Sequence, residues 1–359
     1  MIRIFSRHLL KGLWAMGLLL FFSLSMLGCD SQDLGETEAE EPVEQDDPIV
    51  VDRPVSEACA VCHATGNLAG IESVHAADVG TVTGTINDVR VTADAGGVFM
   101  AVSFSLRRNG EPLLGADPSS IRFTVAQLMP GMNGDASAWK SYINAREVRE
   151  AGDPGSTPDG FAAVQATYER ANADGGVFTD NFNGSYDYRF SFDFDSVTTP
   201  AAVPYNGDRT HRVAIQIEGN VDNPTYDFRP SDGATAGIPR REIAVTSTCN
   251  DCHHNLGIHG GDRKAIAYCV TCHNPGSVDA HSNNTVDMKV MIHKIHMGAN
   301  LPSVEAGEDY VIYGFRNSAH DYSDVHIPMD IRNCTECHDG GNEATPDGDN
   351  WLTVPTKGS

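Results

Sequence analysis

The chain has 359 residues, 40% of them hydrophobic and 21% charged, and its formal net charge is −24. This composition predicts a soluble folded body, and the negative charge argues against a nucleic-acid partner, because phosphate binding needs basic patches. Such a chain attracts a basic partner or a metal cation, although solubility alone also accounts for the charge.

The N-terminus has the pattern of a bacterial lipoprotein signal. Three basic residues precede an apolar run over residues 13–27, and a small residue precedes Cys29. We therefore predict a signal peptide over residues 1–28 and lipidation of Cys29, with plain secretion or an uncleaved signal anchor as alternatives. Residues 29–48 are acidic and poor in large apolar side chains, which predicts a solvated tether.

Four copies of the pattern Cys-x-x-Cys-His follow, the first within residues 49–79. In this pattern two thiols can add to the vinyl groups of one haem, and the adjoining histidine can ligate its iron. We therefore predict four covalently attached c-type haems, which use eight of the nine cysteines. The copies are Cys59, Cys62 and His63; Cys249, Cys252 and His253; Cys269, Cys272 and His273; and Cys334, Cys337 and His338.

Two other interpretations of the cysteines remain open. The separation of Cys252 from Cys269 lies within the range of a zinc ribbon, and eight thiols in an oxidising compartment can form four disulfides. Neither explains why a histidine follows the second cysteine of all four pairs. Haem attachment accounts for both residue types.

Residues 80–246 have a different composition and predict a β domain. They contain no cysteine and one histidine, His211, and apolar residues alternate with polar ones between Gly-, Pro-, Asp- and Asn-rich segments. Short alternating runs of this kind predict an antiparallel β-sandwich or small barrel. We interpret a stripe of tyrosine and phenylalanine residues as part of the hydrophobic core of this domain. The runs are Val98/Met100/Val102/Phe104/Leu106 after a Gly96-Gly97 turn, Ile121/Phe123/Val125, Tyr186/Tyr188/Phe190/Phe192/Phe194, Val213/Ile215/Ile217 and Ile243/Val245.

Residues 247–359 predict a multihaem domain. Three motifs lie too close together for each haem to have its own globular core, so the haems and the chain around them must form the core, with an irregular fold and few short helices. One helix is predicted over residues 285–297, closed by Gly298. His293 and His296 lie three residues apart, on nearly the same face of that helix.

Each iron also needs a sixth ligand or keeps an open site. His259, His293 and His296 are the strongest distal candidates, followed by His75 and His326, and then His320. A methionine of the predicted helix, Met288, Met291 or Met297, is an alternative ligand that would raise the reduction potential.

Four long motifs in this region closely resemble those of the outer-membrane decahaem c-type cytochromes of the OmcA/MtrC family. They span residues 268–277, 284–298, 321–328 and 333–338. The resemblance runs from about Ser56 to the end of the sequence. It implies a β domain followed by a multihaem domain, and His259, His293 and His296 match distal-ligand positions of the family.

The same resemblance implies a lipoprotein at the outer face of the outer membrane, with the periplasmic face as an alternative. It also implies electron delivery to metal oxides or flavins, and redox partners such as other multihaem cytochromes or a porin–cytochrome complex. Family members carry ten haems in two β-plus-haem halves, whereas this sequence has four motifs. We therefore expect either a naturally short member or an N-terminal fragment with an incomplete haem module.

The predicted function is electron transfer by hopping between haems in anaerobic respiration, rather than catalysis in a substrate pocket of its own. A multihaem reductase of a small oxyanion is one alternative, and it would need a haem with an open distal side. A surface lipoprotein whose β domain binds a partner is the other.

Overall fold

The computed structural model describes residues 81–131, 136–220 and 222–338, and all of them belong to one compact unit. The predicted signal peptide, the tether and the first haem motif lie outside the described residues, and so do Cys29 and His75. No helix in the described part of the chain is long and apolar enough to cross a membrane.

Two antiparallel sheets form the β domain, as predicted. The first has the strand order β1-β2-β10-β9 with β3 beside β2, and the second has the order β12-β11-β4-β5 with β8 beside β4. Two smaller hairpins pair β6 with β7 and β13 with β14. The strands are β1 Val82–Asp94, β2 Gly97–Arg108, β3 Glu111–Pro112, β4 Ile121–Met129, β5 Ala138–Ser141, β6 Asn144–Val148, β7 Ala162–Ala166, β8 Glu169–Arg170, β9 Val177–Asp180, β10 Ser185–Arg189, β11 His211–Ile217, β12 Thr225–Phe228, β13 Val311–Tyr313 and β14 Ala319–Asp321.

The alternation of apolar residues in β2 decides which side of the first sheet faces the core. All five apolar residues predicted to share a face, from Val98 to Leu106, are buried, and the positions between them are less buried. Period two places these side chains on one side of the pleat. The predicted glycine turn also forms, because Asp94 pairs with Gly97, whose φ of 126° suits glycine.

The aromatic stripe belongs to the core, as predicted. Tyr186, Tyr188, Phe190 and Phe194 are each at most 1% exposed, and the Tyr188 ring stacks on Phe123 at 4.1 Å. The stripe is not one continuous strand, because β10 ends at Arg189. A 3₁₀ turn over Phe194–Ser196 follows and places the Phe194 side chain in the core. The Asp193 carboxylate accepts hydrogen bonds from the backbone amides of Asp195 and Val98.

The second sheet is covered on both faces. All seven residues of β11 are buried, which a strand with one solvated face would not show. On the outer face, Ala214 packs against Ala265 and Tyr268 of the C-terminal segment. The sandwich therefore serves as the platform on which that segment is built.

The C-terminal segment has four short helices, in agreement with the prediction. They are α1 Thr246–His253, α2 Ile266–Cys269, α3 Met288–Met297 and α4 Pro302–Glu305. Single 3₁₀ turns lie at Gly298–Asn300, Phe315–Asn317 and Cys334–Glu336. No residue of α1 or α3 is fully buried by protein alone, although α3 is rich in Met, Ile and Val.

Two local predictions are wrong. The long helix begins at Met288 instead of residue 285, because Thr285 forms a β-bridge with Val278 and the Val286 carbonyl is a hydrogen-bond acceptor for a histidine ring. The Ile243/Val245 run is not a strand, although its alternation is clear. The Ile243 carbonyl accepts from the ring of His338, 95 residues away.

Candidate haem-binding site

Each of the three motif histidines in the described residues lies opposite a histidine from outside the motifs. The separations of the ring centroids are nearly equal, at 6.0 to 6.1 Å, but the angles between the ring planes differ. The pairs are His253 with His296 at 6.1 Å and 77°, His273 with His259 at 6.0 Å and 34°, and His338 with His293 at 6.1 Å and 22°.

This separation fits a metal held between two imidazoles. Each iron–nitrogen bond is about 2 Å, and each nitrogen lies about 1.1 Å from the centre of its ring, so two axial rings have centres about 6 Å apart. Other aromatic pairs also reach this separation, as Tyr310 and Tyr322 do at 6.1 Å, but here each pair joins a motif histidine to a second histidine. The side chains present therefore fit three haem irons.

The hydrogen bonds of the rings support the same interpretation. In four of the six rings Nδ1 faces a backbone carbonyl, which can only accept, so Nδ1 carries the proton and Nε2 keeps its lone pair for a metal. These bonds join His273 to Val286 at 2.8 Å, His296 to Ile292 at 2.9 Å, His338 to Ile243 at 3.0 Å, and His293 to Lys289.

Helix α3 supplies rings to two different motifs. His293 and His296 lie three residues apart on one turn, so their rings project from adjacent positions on the same side of the helix. The start of the helix is fixed to the third motif, because the Met288 amide donates to the His273 carbonyl at 3.1 Å. One rigid element therefore positions both rings relative to all three motifs.

His259 lies on a tight turn. The backbones of Ile258 and Arg263 bond to each other in both directions, at 2.9 and 3.2 Å, and Gly260 and Gly261 occupy the turn between them. His259 itself has φ of +54°, a conformation that costs a side-chain-bearing residue roughly 1 kcal/mol or more. This turn directs the imidazole toward His273.

The third motif is fastened to the sheet, whereas the other two are more open. The Thr271 hydroxyl donates to Thr124 Oγ1 at 2.8 Å, and Cys272 Sγ donates to the Thr167 carbonyl at 3.4 Å. Burial raises the pKa of the Cys269 thiol to about 12. Cys252, Cys334 and Cys337 are exposed.

The described cysteines are all free thiols, and none forms a disulfide. Within the same residues, no three His, Cys, Asp or Glu side chains converge closely enough to hold a metal ion. A zinc ribbon needs four converging ligands, so this arrangement does not support one between Cys252 and Cys269.

The remaining candidate histidines are placed elsewhere. His320 lies on β14 with Nε2 3.2 Å from the Ser318 hydroxyl, and His326 is exposed. Neither ring lies opposite one of the three motif histidines that the structure describes. His281 was not singled out as a ligand, and its Nδ1 donates to the Pro154 carbonyl at 2.7 Å, which joins the C-terminal segment to a loop of the β domain.

Sequence reasoning missed Arg263. Its guanidinium lies 5.1 Å from the ring centre of Tyr168 and 5.9 Å from that of Tyr268, and its Nε donates to Gln216 Oε1 at 2.8 Å. Although His259 is exposed, the protein atoms around its ring lower its pKa to about 3, and part of this shift comes from the charge on Arg263. In the sequence, only its position four residues after His259 could have suggested that Arg263 contributes to the site.

An antiparallel sandwich that carries Cys-x-x-Cys-His motifs with opposed histidines defines a multihaem c-type cytochrome. Comparison with known families agrees. Residues 85–235 match the OmcA-like N-terminal domain, and residues 241–359 match domains II/IV of outer-membrane cytochromes of the MtrC/MtrF type. The chain belongs to the OmcA/MtrC-like family of outer-membrane multihaem cytochromes and covers its N-terminal and domain II/IV regions.

Two relatives show how much of the family architecture the chain contains. It is 28% identical over 271 residues to the multihaem cytochrome MtrC of Shewanella baltica (strain OS185), covering 71% of this chain and 33% of that protein. The crystal structure of the outer-membrane decahaem cytochrome OmcA superimposes with a TM-score of 0.62 at 30% identity, covering 75% of this chain and 41% of that one. The chain thus spans less than half the length of either relative.

Proposed function

We propose that the protein carries electrons between covalently bound haems at the outer cell surface and delivers them to extracellular acceptors such as metal oxides or flavins. The observation that carries this proposal is the common separation of the three histidine pairs. Two imidazoles on each iron fill both axial positions and leave no open site for a substrate.

Four haems are proposed, one for each motif. In three of them the motif histidine and its opposed partner are the axial ligands, and the two cysteines of the motif form the thioether links. The ligand pairs are His253 with His296, His273 with His259, and His338 with His293. For the first motif, His63 is the proximal ligand and His75 the distal candidate by sequence alone.

A haem iron with two imidazole ligands changes between the ferric and ferrous states and so stores one electron. The protein orients four of the six imidazoles, because Nδ1 donates to a backbone carbonyl while Nε2 points away from it. Fixed rings need little rearrangement when the charge on the iron changes. This suits repeated electron transfer better than bond-making chemistry.

The cell-surface location rests on the family and on the N-terminal sequence. A lipid on Cys29 would anchor the protein to the outer membrane, and residues 29–48 would act as the tether. Redox partners would be other multihaem cytochromes or a porin–cytochrome complex. Labelling with a radioactive fatty acid tests the anchor, because Cys29→Ser should abolish incorporation while haem content stays unchanged.

Mass spectrometry and EPR test the central proposal together. We expect the intact mass of the mature protein to include four haems, and the oxidised protein to show only low-spin ferric signals. Fewer than four haems would contradict the attachment sites, and a substantial high-spin signal in the wild type would favour the reductase alternative.

Electron delivery is tested separately with a soluble ferric chelate or flavin. The double variant Cys249→Ala, Cys252→Ala should retain three haems and reduce the acceptor more slowly. Asp251→Asn, which changes a residue between the two cysteines but neither thiol, is the matched control. An unchanged rate in the cysteine variant would favour a binding role for the β domain instead.

A further inference from the structure

We propose that Arg263 is a fixed positive charge that raises the reduction potential of the haem bound by the third motif, Cys269-Cys272-His273. This inference rests on the proposed function. By this proposal, one side chain that contacts the β domain helps to set the order in which the haems are reduced.

Arg263 is held in place from three directions. Gln216 of β11 accepts a hydrogen bond from Nε at 2.8 Å, and the guanidinium lies over the rings of Tyr168 and Tyr268 at 5.1 and 5.9 Å. All of these partners are neutral. A guanidinium between aromatic faces keeps its full charge and loses much of its freedom to move.

No ion pair in the described part of the chain neutralises this cation. Other arginines of the protein have carboxylate partners: the buried Arg212 pairs with Asp227 at 2.6 Å, and Arg229 pairs with Asp232 at 2.6 Å. Some exposed arginines of the described residues also lack an ion pair, but the Arg263 guanidinium is half-buried and lies over two aromatic rings. It is therefore available to a negatively charged or electron-accepting group.

The position of Arg263 places that charge at the third motif. Its backbone closes the turn that presents His259, and its side chain lies over Tyr268, the residue directly before Cys269.

A second observation points to a missing partner at the same place. The Tyr268 hydroxyl is buried, in a side chain 1% exposed, and has no hydrogen-bond partner among the described residues. Buried hydroxyls are rarely left unsatisfied. The ring that lies under Arg263 therefore carries a polar group whose hydrogen bond the described residues do not supply.

The sign of the effect follows from charge. Reduction adds one electron to the haem, and a fixed cation stabilises the reduced state relative to the oxidised state. The effect is reduced by solvent but not abolished, because Arg263 is half-buried. Removal of the cation should therefore lower the potential of this haem more than those of the others.

Spectroelectrochemical titration of the full haem-loaded protein tests the proposal. At the wild-type midpoint of the third-motif haem, Arg263→Gln should raise its oxidised-to-reduced ratio up to about tenfold, which corresponds to 59 mV for one electron. Arg263→Lys should keep the ratio close to that of the wild type. Arg122→Gln is the matched control, because Arg122 lies 5.5 Å from the ring centre of Tyr168, the partner of Arg263 that does not adjoin the third motif.

Gln216→Glu is a second variant for the case in which Arg263→Gln does not fold. It places a carboxylate against the Arg263 guanidinium and neutralises that charge without removing the arginine. The same fall in potential is expected. Unchanged potentials in both Arg263→Gln and Gln216→Glu, or an equal fall in Arg263→Lys, would overturn the inference. Four haems by mass and a low-spin spectrum in the same samples would show that the proposed function nevertheless stands.

Discussion

His293 and His338 lie face to face, with ring centroids 6.1 Å apart and ring planes inclined by 22°. His293 belongs to helix α3, and His338 ends the last motif, 45 residues further along the chain. Each Nδ1 faces a backbone carbonyl, that of Lys289 or Ile243. The two rings are therefore held from opposite sides of the space between them.

His293→Ala should remove one axial ligand and leave all four haems attached. We expect about a quarter of the iron to become high-spin in the oxidised protein, because one of four haems loses its sixth ligand. EPR and the charge-transfer region of the absorption spectrum measure this change. Lys289→Ala, an exposed change on the same helix, is the control, and a fully low-spin spectrum in His293→Ala would contradict the pairing.

His296→Ala should change a different EPR signal. The His253 and His296 rings are inclined by 77°, whereas the other two pairs are closer to parallel. Nearly perpendicular axial imidazoles make two iron d orbitals almost equal in energy, which produces a strongly anisotropic low-spin signal. That signal should be present in the wild type and in His293→Ala and absent in His296→Ala. Its survival in His296→Ala would exclude the assignment.

The Arg212–Asp227 ion pair should be the most sensitive polar contact of the β domain. Its side chains are 1% and 5% exposed, the pair is bidentate, and Arg212 also lies 4.4 Å from the Trp139 ring centre. Asp227→Asn leaves a buried guanidinium uncompensated and should cost about 3 kcal/mol in the free energy of unfolding. Urea denaturation measures it. Asp232→Asn, which breaks an exposed pair, should leave the denaturation midpoint unchanged.

His211 should make the protein less stable in acid. Burial lowers its pKa to about 4, while its ring contacts Tyr142 Oη at 2.9 Å and the Arg209 carbonyl at 3.0 Å. The folded state favours the neutral ring, so stability is present above the unfolded pKa of about 6.5 and is lost as pH falls toward 4.

The expected loss between pH 7 and pH 4 is about 3 kcal/mol. It is measured as the difference in unfolding free energy between the wild type and His211→Gln, because changes in haem ligation then cancel. A difference that stays constant over this range would mean that His211 titrates normally in the folded protein.

Much of the β domain follows from its sequence. The alternation from Val98 to Leu106 predicts which side of β2 is buried. The stripe of tyrosine and phenylalanine predicts aromatic side chains that belong to the hydrophobic core. The same method fails at Ile243 and Val245, where a clear alternation belongs to a loop that supports His338. Periodicity reports which side chains avoid water, but not whether a neighbouring strand is present to pair with the backbone.

The helix boundary fails for a related reason. Residues 285–287 suit a helix start, but Val286 and Thr285 make contacts with the third motif and its following loop. Tertiary hydrogen bonds here outweigh the local preference for a helical turn. Arg263 was missed because its neutral partners come from β11, from the loop before β8 and from α2, which are far apart in the sequence.

By itself the sequence determined the number of haem motifs, the two-part organisation and the residues able to ligate iron, because attachment chemistry is local and core alternation has a fixed period. The tertiary structure alone decided which histidine lies opposite which, that the second sheet is covered on both faces, and that Arg263 stands unpaired beside the third motif. Those relationships join residues distant along the chain, and only packing brings them together.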